Sequence, residues 1–160
     1  MLLRCKTPRS GPLLRALIPE SLRQFLYCYD LAFQVPNVVG SLEEKQLLER
    51  VVRIKSEMYG SLGATGVGHG TPKAVILGLM GEEPETVDVD QSKIQVEQSR
   101  ESKTLLLNGR HTIKFNYEKD LVLYRRKSLS FHSNGMRFIA YSDTGEVLVE
   151  NIYYSIGGGF

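Results

Sequence analysis

Five glycines fall within eleven residues, Gly60-Ser61-Leu62-Gly63-Ala64-Thr65-Gly66-Val67-Gly68-His69-Gly70. Few backbones accommodate such a stretch except as a tight turn, because glycine alone enters the left-handed region at no steric cost. What flanks it narrows the choice. Val51 to Tyr59 alternates, with Val52, Ile54 and Met58 on one face and Arg53, Lys55 and Glu57 on the other, which reads as a half-buried strand. Thr71-Pro72 follows the glycines and opens a helix, with Thr71 as N-cap and Pro72 at the first helical position. Ala74 to Met80 supplies that helix's apolar face and Gly81 closes it in the left-handed conformation. Strand, glycine turn and helix therefore form one unit.

The rest of the chain sorts around this unit. Ser41-Leu42-Glu43-Glu44 has the spacing of a capping box and predicts a short helix to about Arg50. Thr104 to Leu107 and Arg110 to Tyr117 flank Asn108-Gly109, a strong hairpin signal, since both residues tolerate positive φ. His111, Ile113 and Phe115 share one face of the returning strand. Met136 to Tyr141 and Glu146 to Tyr154 form a second pair around Ser142-Asp143-Thr144-Gly145, and Phe131 to Gly135 reads as a turn. This order predicts an α+β fold, with a mixed or antiparallel sheet and helices packed mainly on one face.

With 160 residues, the chain suits one domain with a substantial core. Twenty Lys and Arg against 18 Asp and Glu leave a formal charge of +2, so no global electrostatic argument favours nucleic acid or an anionic membrane. The longest apolar run, Ala74 to Met80, is far too short to span a bilayer. Arg4, Lys6 and Arg9 stand where a signal peptide would be apolar, which makes the cytoplasm the expected compartment. Cys5 and Cys28 are too few to hold a metal cluster and fit a reducing compartment. Residues 1–40 form a basic arm with a weak helical pattern at Leu13 to Leu31, broken at Pro19. The patterned domain occupies residues 41–160.

The glycine turn admits two readings. A helix N-terminus offers free amides and the positive end of the dipole to an anion, so a small carboxylate could sit there, with the Ser61 and Thr65 hydroxyls nearby. The same glycines could instead serve tight backbone geometry alone. The spacing fits neither a phosphate-binding P-loop nor a dinucleotide fingerprint. His69 lies two residues before Thr71, where the dipole would keep an imidazole neutral and able to accept a proton. Its alternative is a structural hydrogen-bonding role. His132 is a second candidate and His111 a sheet residue. Three histidines so widely spaced form no zinc signature.

Several segments resemble the β domain of iron–sulfur L-serine dehydratases: Tyr59 to Leu62, Thr65 to Thr71, Ala74 to Gly78, Gly81 to Asp90, His132 to Met136 and Tyr153 to Phe160, in that order. The fold is also similar to the allosteric substrate-binding domain of some phosphoglycerate dehydrogenases. The resemblance implies deamination of L-serine to pyruvate and ammonia with a [4Fe–4S] cluster ligated outside this chain, on a larger α domain that would be its partner. No metal ligand is then expected within the chain, and Cys5 and Cys28 match no ligand position. His69 matches the motif's proton acceptor. Ser61, Thr65, Gly66, Gly68, Gly70 and Thr71 would position the substrate, while His132, Asn134 and Gly135 would line the site. One departure stands out: where the family carries Gly-Pro-Ser-Ser-Ser-His-Thr, this chain has Gly11-Pro12 followed by Leu13-Leu14-Arg15. The chain would end where the α domain should begin. Its exposed sheet edges predict a homo-oligomer. A second reading is a non-catalytic module that binds a small anionic effector.

Overall fold

The computed structural model describes residues 35–68, 70–82 and 88–154. The expected helix at Leu13 to Leu31, both cysteines and Gly11-Pro12 lie outside them, as does His69. Six strands form one mixed sheet. Helix α1 (Val35–Glu44) and a 3-10 turn (Leu48–Arg50) lead into strand β1 (Arg53–Tyr59). Then come α2 (Ser61–Thr65), α3 (Thr71–Leu79), α4 (Val89–Ser102), β2 (Thr104–Leu107), β3 (His111–Lys114), α5 (Tyr117–Asp120), β4 (Leu121–Tyr124), β5 (Gly135–Tyr141) and β6 (Val147–Tyr154). The strand order is β2-β3-β1-β5-β6, with β4 also pairing β1. This is the α+β architecture expected from the sequence.

β1 is the hinge of the arrangement. It runs antiparallel to β5 over seven residue pairs, from Arg53↔Tyr141 to Tyr59↔Gly135. It runs parallel to β4 from Ser56↔Leu121 to Tyr59↔Tyr124. Because side chains alternate along a strand, these registers sort two faces. Ile54 and Met58 share one face with Met136, Phe138, Ala140, Val149 and Tyr153, all buried. Val35, Val38, Val39 and Leu42 of α1, and Val75, Ile76 and Leu79 of α3, bury their stripes in the same core. No helix among the described residues is long and apolar enough to cross a membrane.

Four local expectations are corrected. The Ser41 capping box is not used: Ser41 sits inside α1 and its hydroxyl donates back to the Val38 carbonyl at 2.9 Å. Val35, Val38, Val39 and Leu42 follow the i, i+3, i+4, i+7 spacing, and burying that stripe outweighs one cap. Thr71 is the first helical residue, 2% exposed, and the cap position falls to Gly70 at φ 77°. Glu57, placed by alternation on a solvent face, is 3% exposed. The second hairpin strand stops at Lys114, because Asn116 caps α5 by accepting from the Glu118 and Lys119 amides.

Helix α4 and strand β4 are among the elements with no counterpart in the sequence reading. Helix α4 is largely polar, and its start is fixed by Asp88, whose carboxylate accepts from the Asp90 and Gln91 amides. Strand β4 is four residues long and exists through its pairing with β1. The Asn108-Gly109 hairpin is as expected, with φ of 52° and 64°. Gly81 likewise takes φ 84° after α3.

Candidate functional site

At the C-terminal end of β1 the chain must turn sharply, and three segments meet there. Gly60 has φ 64° and ψ −135°, a combination open essentially to glycine. Its amide donates to the Lys127 carbonyl at 2.8 Å. A Cβ at this position would collide with the Ser133 carbonyl oxygen and approach Asn134 Oδ1 at 2.7 Å. The next amide, Ser61, donates to that same Asn134 Oδ1 at 2.8 Å. Segments more than seventy residues apart in sequence are thus locked together, and two expected site motifs become one.

The turn of helix between them explains further glycines. A side chain on Gly63 would collide with the Tyr124 carbonyl oxygen, and one on Gly66 with that of Leu62. Gly66 also packs on Thr71, whose amide donates to the Gly66 carbonyl at 2.9 Å. Gly68 is exposed with only the Thr65 carbonyl oxygen near a built Cβ, at 3.6 Å. Gly70 has open space around it, and its requirement is the positive φ alone.

The polar groups are unequally available. Thr65 spends its hydroxyl on the Ser61 carbonyl at 2.9 Å, whereas the Ser61 side chain is exposed. Thr71 is buried. The Thr71 amide is already bonded and Pro72 has none, so two of the first three amides of α3 are not open to an anion. The helix N-terminus is therefore a poorer anion site than its sequence suggests. His132 is half-buried in the second turn, where its Nδ1 receives the Asn134 amide at 3.1 Å. Gly135 starts β5 opposite Tyr59, and a Cβ there would meet Leu129 Cδ1 at 2.6 Å. Thus Ser61, His132, Asn134 and Gly135 come together, while Thr65 is exposed with its hydroxyl already bonded and Thr71 is buried. His111 lies elsewhere, bonded through Nε2 to the Val51 carbonyl at 2.7 Å.

Behind the turns lies a polar network absent from the sequence reading. Glu57 accepts from Lys55 at 2.8 Å and from Tyr59 at 2.8 Å, with Tyr124 and Arg137 both at 3.4 Å. Burial pushes the Glu57 carboxyl up, but the hydrogen bonds from Lys55 and Tyr59 and the charges of Lys55 and Arg137 reverse this, leaving it below the usual range. Burial and the bond to Glu57 push the Tyr59 phenol up to about 12. Tyr59 stacks on Tyr124 at 4.9 Å, and Lys127 Nζ lies 4.4 Å from the Tyr124 ring centroid. Arg125, Arg126 and Lys127 are all exposed at this end of the sheet. Alternation places Glu57 correctly on the second face. It cannot show that Arg137 from β5 and Tyr124 from β4 reach it across the sheet.

Among the described residues, no group of three or more His, Cys, Asp or Glu side chains is placed to hold a metal ion. The described residues therefore do not fit a resident metal cluster.

A family model described as the serine dehydratase beta chain matches residues 35–160. The chain is 50% identical over 119 residues to an L-serine dehydratase of Streptomyces coelicolor, an alignment covering 74% of this chain and 26% of that protein. It is 43% identical over 123 residues to L-serine dehydratase 1 of Escherichia coli, covering 76% and 27%. It is 40% identical over 116 residues to an L-serine dehydratase of Helicobacter pylori, covering 72% and 25%. The chain spans about a quarter of the length of these relatives.

Proposed function

The chain belongs to the serine dehydratase beta-chain family, and from that premise we propose that it forms the β portion of an L-serine ammonia-lyase. The reaction is deamination of L-serine to pyruvate and ammonia. Loss of the α proton and the β hydroxyl gives aminoacrylate, whose imine tautomer takes up water and releases ammonia. In this reading a [4Fe–4S] cluster is ligated outside this chain, by a larger domain of the same enzyme. The described residues supply no ligand set for it.

This chain's own part is to accept the proton and hold the substrate. His69 stands between Gly68 and Gly70 in the glycine turn and is the proposed base. An uncharged imidazole takes the α proton and releases it to solvent afterwards. Ser61 offers an exposed hydroxyl with no partner among the described residues, and its amide ties it to the turn at His132 to Gly135. The observation that supports this division is the Ser61 amide bond to Asn134 Oδ1, at 2.8 Å. It unites the two motifs that the resemblance assigns to one site.

The test joins this chain to the remaining three quarters of the Streptomyces coelicolor relative and follows pyruvate release from L-serine. Turnover is expected in the joined protein, and His69→Asn should lower kcat by at least about a hundredfold. Full activity of that variant would overturn the base assignment. Binding of a small anion with no pyruvate released, by a joined protein that is folded and cluster-loaded, would favour an effector-binding module.

A further inference from the structure

One residue reaches both turns. Asn134 accepts the Ser61 amide on Oδ1 at 2.8 Å and donates its backbone N–H to His132 Nδ1 at 3.1 Å. A backbone amide can only donate, so Nδ1 must carry a lone pair there. A neutral imidazole with an accepting Nδ1 has its proton on Nε2. The other contact of Nδ1, to the Asn134 carbonyl oxygen at 3.4 Å, would need the opposite tautomer and is too long to compete. No described group takes the Nε2 proton, so it is left for a ligand.

The surroundings indicate what kind of ligand. Arg125 and Arg126 are exposed and pair with no carboxylate among the described residues, and Lys127 is held over Tyr124 while its carbonyl binds the Gly60 amide. Three consecutive cations give this end of the sheet a positive field. An N–H donor in a positive field suits an anionic oxygen.

We propose that Asn134 is a positioning residue, and that the imidazole it fixes, His132, donates through Nε2–H to a carboxylate oxygen of the ligand instead of accepting a proton. The proposal deepens the lyase reading, on which it relies only for the carboxylate's being that of an amino acid. It divides labour between the two histidines: His69 takes a proton, and His132 binds charge. Asn134 links the two turns, since its Oδ1 holds the Ser61 amide and its backbone N–H sets the His132 tautomer.

The test uses the 160-residue chain itself, labelled with nitrogen-15, at a pH above the histidine titrations. Long-range nitrogen–proton correlation reads the tautomer, and His132→Gln identifies its signals. The wild type should show His132 protonated on Nε2. Asn134→Ala should speed exchange of the Ser61 amide roughly tenfold and, by releasing the turn that holds the Asn134 backbone N–H against His132 Nδ1, mix the His132 tautomers. Asn134→Asp, which keeps Oδ1, should preserve both readouts. Acetate should move the His132 Nε2 resonance in a saturable way, and methylammonium should leave it in place. An Nδ1-protonated wild type would overturn the proposal, as would wild-type readouts in Asn134→Ala, loss of both in Asn134→Asp, or an Nε2 resonance indifferent to acetate. Because none of these depends on turnover, failure of the lyase test would leave them standing.

Discussion

Tyr59 donates its hydroxyl to Oε2 of Glu57 at 2.8 Å, from two residues further along the same face of β1. The phenol is 8% exposed, so ionising it would place a second negative charge beside a buried carboxylate. Its pKa accordingly stands near 12 in the folded chain, against an ordinary value of 10.0. A group whose folded pKa is raised stabilises the fold fully below its unfolded pKa and loses that contribution as pH rises through the folded value. Stability should therefore fall between pH 10 and about 12, by about 2 kcal/mol from this group. Urea denaturation across that range should show the decline, and Tyr59→Phe should flatten it. An unchanged slope in the variant would remove Tyr59 as the cause.

Glu57 gives the opposite sign. Its folded pKa is lowered, so its contribution is present above the ordinary carboxylate range and disappears as pH falls through the folded value. Glu57→Ala should cost about 3 kcal/mol at neutral pH, because it leaves Lys55 and Arg137 converging on a buried position with no counter-charge. Glu57→Gln should cost less, since it keeps an acceptor for the Tyr59 hydroxyl. Denaturation midpoints of the three proteins would check the order.

The glycines of the turn should separate by mechanism. Gly60→Ala meets both a forbidden backbone region and the Ser133 carbonyl, and should destabilise by about 3 kcal/mol or more. Gly70→Ala faces only its positive φ and should cost about 1 kcal/mol, with Gly70→Asn milder still. Gly68→Ala has room and an ordinary φ, and should leave stability within about 0.5 kcal/mol. Thermal midpoints of the four variants would test this ranking. A destabilised Gly68→Ala would contradict the open surroundings found there.

Much of this organisation was legible because it is local. Asn108-Gly109 needs positive φ at both residues, and nothing elsewhere in the chain changes that. The strand–turn–helix unit around Gly60 was equally plain, as was the β5–β6 pair. What stayed hidden depends on distant partners. Ser41-Leu42-Glu43-Glu44 reads as a helix start until Val35 and Val38 are seen buried in the core ahead of it. Strand β4 shows no alternation, because its order comes from pairing with β1. The motifs at 60–71 and 132–135 named candidate site residues, yet it takes the close packing of Gly60 on Ser133 and the Ser61–Asn134 bond to show that the two segments meet. The Glu57 network draws on β1, β4 and β5, so no single window of sequence contains it.

The far end of the β1–β4 pair is set by Asp120, which is 3% exposed. Its Oδ1 receives Arg53 Nε at 2.6 Å and Nη2 at 2.5 Å, and its Oδ2 takes the Asn116 amide at 2.7 Å. Asp120 ends α5 and immediately precedes β4, so this contact fixes where β4 begins against β1. Asp120→Ala should cost about 3 kcal/mol, since it strands both the arginine and a backbone amide. Asp120→Asn, which still accepts that amide, should cost about half as much. Arg53 is 46% exposed, so solvent screens its share, and a double-mutant cycle with Arg53→Met should give a coupling of about 1 kcal/mol. The consequence should reach the site. β4 carries Tyr124, on whose carbonyl Gly63 packs, and leads to Lys127, whose carbonyl binds the Gly60 amide. Loosening β4 at Asp120 should therefore speed exchange of the Gly60 amide more than that of Val149, which lies beyond β5 on β6. Equal acceleration at both amides would mean that Asp120 holds up the whole domain instead of aligning β4 with the site.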